Sequence, residues 1–161
     1  MSTDFITAVR KNHALEHATI AVLMGKLGPG VRLMGRAAAD GFYVYGNVGQ
    51  EAVSQAASEG LARLKRGEAN LAVSPLCGTN IVAGGLLAGL ASVLAMRGRR
   101  LSEDLPGVFI AATAALVLAQ PVGRFAQRYL TTFAGVDDVD IVEVVCLRPG
   151  RYKIRTVQGQ T

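Results

Sequence analysis

The sequence predicts an α+β fold: a small antiparallel sheet packed with amphipathic helices, into which a transmembrane helical hairpin is inserted. Three observations carry that prediction. Strand-forming runs bounded by glycine turns lie near both ends of the chain, at residues 31–45 and 140–157. Helical periodicity occupies residues 3–26 and 50–65. Between these parts lie two uncharged apolar runs, at residues 79–96 and 105–123, joined by a charged turn. The expected organisation is an α+β part over residues 1–78, a membrane hairpin over 79–122, and an amphipathic helix with a terminal β-hairpin over 123–161 that completes the sheet.

The first helix is expected from Thr3 to Lys26, capped by Ser2, Thr3 or Asp4 and stopped by Gly28, Pro29 and Gly30. Two strands follow, Val31 to Arg36 and Phe42 to Tyr45, turning at Asp40 and Gly41. Tyr43 and Tyr45 share one side of the second strand and are assigned to the core. Residues 50–65 place Val53, Ala57, Leu61 and Leu64 at three- and four-residue spacing, which predicts a surface helix. "NLAVSP" reads as a short strand ending at Pro75.

The run from Thr79 to Met96 has about 18 uncharged residues, near the lower limit for crossing a bilayer, and the alternative to a membrane hairpin is a buried helical hairpin of a soluble protein. The second run is expected to break near Pro121, before the amphipathic "RFAQRYLTTF". Gly85 and Gly89 in the first run, with Ala111, Ala115 and Ala119 in the second, predict close packing of the hairpin on itself. The last hairpin turns at Pro149 and Gly150, and Cys146 is read as a core residue of its first strand.

Composition narrows the function classes. Half of the 161 residues are apolar and only 18% are charged, without a tryptophan, which suits membrane contact. The net charge of +5 comes from basic groups that flank the apolar runs, so lipid headgroups are the expected partner and nucleic acid is not. Three basic residues in the turn (Arg97, Arg99, Arg100) against five at the outer ends (Arg63, Lys65, Arg66, Arg124, Arg128) place the protein in the plasma (inner) membrane with a cytoplasmic globular part. Two distant cysteines make no disulfide framework. The first residues turn polar before a signal core could form, so no removable targeting segment is expected.

The chemistry concentrates in "KNHALEHATI", which holds both histidines of the chain. At 100° per residue, Ile6, Val9, His13, His17, Ile20 and Met24 fall on one stripe, with Glu16 at its edge. Ionisable groups on an apolar stripe need a partner. Histidines four apart on a helix can present both imidazoles to one ion, and zinc, or another transition metal, is the expected cofactor. The spelling H-x-x-E-H is that of the inverted zincins, where two histidines bind zinc and the glutamate is the general base. His13 and His17 are then ligands and Glu16 the catalytic base. Cys77 is a candidate third ligand, because it opens the first apolar helix, where the helix dipole favours a thiolate. The alternative is a His-Glu-His hydrogen-bond network that needs no metal. Asp137, Asp138 and Asp140 also cluster, but without a loop of cation-ligand spacing, and read as a solvated turn.

The segments "NHALEHATI", "GFYVYG" and "CGTNIVAGGLLAGL", in this order, resemble an uncharacterised family of small membrane proteins from photosynthetic and related bacteria, over most of the chain. More distantly, the sequence is similar to a membrane family predicted to be metal-dependent, in which His-Gly-Ala-Glu-His precedes His-Pro-Arg-Cys-Gly-Thr-Ser and a hydrophobic helix. That resemblance puts His13, Glu16, His17 and Cys77 in corresponding places. It also shows one departure, for the histidine before the proline is Ser74 here. Two functions follow as expectations. One is a membrane-bound zinc-dependent hydrolase or peptidase; the other is a non-enzymatic membrane assembly protein, homo-oligomeric or in a larger complex, whose His-Glu-His cluster is structural.

Overall fold

The computed structural model describes residues 2–28, 30–96 and 101–159. Pro29 of the expected helix stop and Arg97, Arg99 and Arg100 of the charged turn lie outside the described residues, as do the side chains of Ser2, Thr3 and Asp4. The fold is α+β, with a four-stranded antiparallel sheet, two helices associated with it and two long apolar helices. Contacts divide the chain into two units, Met1–Ser74 with Arg128–Thr161, and Pro75–Gln127.

In the first unit, helix α1 (Ser2–Leu27) ends where Gly28 turns to a φ of 83° and its N–H bonds back to the Met24 carbonyl. Strands β1 (Met34–Ala38) and β2 (Gly41–Tyr45) form a hairpin, followed by helix α2 (Gln50–Lys65). Strands β3 (Val139–Arg148) and β4 (Arg151–Gln158) turn at Pro149 and Gly150, as the sequence predicts. The sheet order is β1-β2-β4-β3, so the terminal hairpin does complete the sheet through the β2–β4 pairing. Gly41 is required at its turn: its φ is 129°, and a Cβ there would lie 2.0 Å from the Ile154 carbonyl oxygen.

Helix α1 packs on β1 and β2, while α2 packs on β3, β4 and α1. The core between them holds Ala14, Leu15, Ala18 and Val22 of α1, Val53, Ala57 and Leu64 of α2, and Phe42, Val44 and Ile154 of the sheet. The core face of α1 is therefore the one beside the histidine stripe, and residues 14–20 are all buried. Asn12 straps this helix to the sheet. Its amide donates to the carbonyls of Ala38 and Ala39 and its oxygen accepts from the Thr156 hydroxyl, with the side chain fully buried. Lys11 binds both carboxylate oxygens of Asp138, and Lys65 pairs with Asp140 at 3.1 Å, so two of the three clustered aspartates serve in ion pairs.

Three local expectations are corrected. The parity of β2 puts Phe42 and Val44 in the core and Tyr43 and Tyr45 on the opposite face, because alternate side chains of a strand point to opposite sides. Cys146 is exposed, since β3 is an edge strand whose register shifts next to it. "NLAVSP" is no strand. Residues Ala69–Ala72 form a 3-10 turn after Gly67, and the Ala72 carbonyl is taken by a histidine rather than a ladder partner.

The second unit is a hairpin of α3 (Gly78–Ala95) and α4 (Leu101–Ala126), the latter passing into a π-helical turn, Gln127–Thr131. Helix α4 continues through both Pro106 and Pro121, where a break was expected; a proline removes one backbone hydrogen bond, and the remaining bonds with the packing on α3 hold the helix together. Close packing of the two helices uses Gly84, Ala115 and Ala119, whereas Gly85 and Gly89 face outward. At the open end, the Gln127 amide donates to the Asn80 oxygen (2.9 Å) and Asn80 donates to the Pro75 carbonyl (2.8 Å). Gly123 leaves the room for this pair, since a Cβ there would meet Asn80 Oδ1 at 2.1 Å. Both helices are long and apolar enough to cross a membrane, with 11% of each apolar window buried.

Candidate metal centre

His13 and His17 stand one turn apart on α1, their ring centroids 4.4 Å apart and the planes inclined by 61°. Each imidazole is tied through Nδ1 to a backbone carbonyl, His13 to Thr131 at 2.9 Å and His17 to Ala72 at 2.7 Å. A carbonyl oxygen only accepts, so both Nδ1 atoms carry the proton, and in the neutral ring the lone pair sits on Nε2. That is the outer-sphere arrangement usual for metal-ligating histidines, in which the second nitrogen is bound to fix tautomer and ring orientation.

Cys77 is the N-cap of α3. Its sulfur accepts from the Thr79 backbone N–H at 3.4 Å and is within 3.3 Å of the Thr79 hydroxyl. Thr79 thus serves the cap of "CGTN", while Asn80 secures the Pro75 carbonyl. His17 and Cys77 are buried and His13 is half-buried. The two imidazole nitrogens stand one helical turn apart where one ion could reach both, and imidazole and thiolate are donor types that suit zinc or another borderline-soft transition metal.

Glu16 is buried, and its Oε2 lies 3.8 Å from His13 Nε2. That spacing is too long for a direct hydrogen bond and suits two groups that address the same small species. Its carboxylate rests on Gly35 of β1, where a Cβ would come within 1.9 Å of Oε1. Sequence reasoning missed Gly35. The signal was present, because a glycine inside the strand "MGRAA" marks the close approach of another group. It also missed the carbonyls of Ala72 and Thr131, which no sequence pattern marks. Of the residues singled out in the sequence, His13, Glu16 and His17 stand together on α1, and Cys77 opens α3.

Residues 8–144 match the family model of DUF6391, a domain of unknown function. An uncharacterized protein of the cyanobacterium Picosynechococcus sp. is 37% identical over 134 residues, covering 77% of this chain and 65% of the relative. The chain therefore spans about two thirds of that relative's length. No solved structure matches.

Proposed function

We propose a function for this chain, which belongs to the DUF6391 family: it is a membrane-anchored metalloprotein that holds zinc on His13, His17 and Cys77 and works as a hydrolase. The observation that carries this reading is the pair of Nδ1 bonds to Thr131 and Ala72, which leaves two Nε2 lone pairs one helical turn apart for one ion. Three protein ligands are the usual set of a catalytic zinc, which keeps its fourth position for water or substrate, whereas structural sites close with four.

A zinc ion held there would supply Lewis acidity and make a bound water more acidic. Glu16 would be the general base that takes a proton from the water attacking an acyl or peptide carbonyl and returns it to the leaving group. Glu16 itself is buried, which limits the access of bulk water to its carboxylate. His13 and His17 hold their orientation through the two carbonyls, and Cys77 through Thr79.

The anchor is the α3–α4 hairpin. Its large apolar side chains point outward along its length, Ile81 being 77% exposed and Ile110 72%, a surface that water does not tolerate over such an area. The basic residues that flank it in the sequence, Arg63, Lys65, Arg66, Arg124 and Arg128, support a cytoplasmic globular part at the plasma membrane.

The test is Glu16→Gln in detergent-purified protein, assayed against a mixed peptide and ester library. Loss of all turnover with metal content unchanged supports the base. A variant that loses metal or stability instead points to the structural cluster, the reading that Ser74 in place of histidine favours.

A further inference from the structure

The outer face of the sheet carries a feature that the metal centre does not use. Helices α1 and α2 both lie on the Phe42–Ile154 face, and the register lines up the opposite one. There Met34 stands beside Tyr45 and Arg151, and Arg36 beside Tyr43 and Lys153. Arg148 continues the first row and Arg155 follows at the end of β4. The tyrosine rings stack at 6.3 Å, with the Arg151 guanidinium 5.4 and 5.6 Å from their centroids and Lys153 Nζ 4.3 Å from that of Tyr43.

Charge on this face is one-sided. Asp40 answers Lys153 at 2.7 Å and Glu143 answers Arg155 at 3.0 Å, while Arg36, Arg148 and Arg151 have no carboxylate ion pair among the described residues. Arg151 Nε is in addition a buried donor with no hydrogen-bond acceptor. The cations lie over the rings, so a nucleobase has no open ring face to stack on there, and what the face offers is guanidinium donors for anionic oxygens. The exposed Met34 and the tyrosines add the amphipathic side chains typical of a headgroup layer.

We propose that this face docks on anionic phospholipid headgroups, with Arg36, Arg148 and Arg151 on the phosphate oxygens and Met34 and Tyr45 in the interfacial layer. The choice of a lipid surface rests on the membrane anchoring proposed above; the metal centre plays no part in it.

The experiment is a titration of detergent-purified full chain with short-chain phosphatidylglycerol, read by native mass spectrometry beside phosphatidylcholine, inorganic phosphate and a single-stranded RNA. Phosphatidylglycerol should bind at least tenfold more tightly than phosphatidylcholine. Arg36→Gln/Arg151→Gln should weaken it about 25-fold, at about fivefold per cation near an anionic surface, and Lys26→Gln on α1 should leave it unchanged. Arg36→Gln/Arg148→Gln repeats the test without touching the tyrosine stack, and should lose a similar factor. Equal binding of the two lipids, or unchanged affinity in both double variants, overturns the proposal. So does inorganic phosphate binding as tightly, which marks a small-anion site, or RNA binding more tightly and failing in the variants, which marks a nucleic-acid face. Carbonate extraction of membranes reads the anchoring of the hairpin separately, so failure of one reading is distinguishable from failure of the other.

Discussion

The carboxylate of Glu16 occupies the space that a side chain at position 35 would fill, since a Cβ on Gly35 would lie 1.9 Å from Oε1 and 2.5 Å from Cγ. A glycine in β1 and a glutamate in α1 are thus parts of one feature, and the strand's weakest residue is what admits the acid to the cluster.

Gly35→Ala should therefore lower stability by about 1–3 kcal/mol, the usual cost of overpacking. Adding Glu16→Ala should recover most of that loss. Thermal or urea unfolding of the two single variants and the double gives the coupling directly, and additive effects would separate the two residues.

Cys77 should be visible as a ligand. Cobalt-loaded protein is expected to show sulfur-to-cobalt charge-transfer absorption, and Cys77→Ser should abolish it while Cys146→Ser leaves it intact. The contrast follows from their places, one buried at the start of α3 and the other exposed on an edge strand.

Asn12→Ala should cost about 2–3 kcal/mol, because it removes two donors to the Ala38 and Ala39 carbonyls and leaves the buried Thr156 hydroxyl without its acceptor. Equilibrium unfolding measures it. A loss below about 0.5 kcal/mol would mean that water replaces the amide without penalty.

Much of this architecture was legible in the sequence, for definite reasons. The terminal hairpin was marked by Pro149–Gly150 between two strand-forming runs, and the apolar hairpin by its lack of charge. The histidine pair stood out because polar ligand types interrupt apolar periodicity, and Cys77 because it opens an apolar helix. What was not legible depended on strand parity and tertiary partners. Periodicity alone cannot say which face of "GFYVY" is inward, so the tyrosines were given to the core that Phe42 and Val44 occupy. Nor does a sequence show that the Ala72 carbonyl will be claimed by His17, which settles "NLAVSP" as a turn and not a strand.

Acid should weaken the fold through Asp138. The hydrogen bonds from Lys11 hold its carboxyl below the usual carboxylate range, so the folded state favours the ionised form. Its contribution is present above the unfolded value, at about pH 4, and is lost as pH falls through the depressed folded one. Asp138→Asn should lower the melting temperature at pH 7 and flatten its decline below about pH 4. Parallel melting curves for the two proteins across that range would show that the ion pair does not contribute.

The most direct test of the metal centre is elemental analysis of detergent-purified protein, wild type beside His13→Ala/His17→Ala. The account predicts near-stoichiometric zinc, or another transition metal, in the wild type and its loss in the double variant with the fold retained by circular dichroism. Wild-type protein that carries no metal, even after reconstitution with Cys77 reduced, would contradict it and leave the histidines as a packing network between α1 and the carbonyls of Ala72 and Thr131.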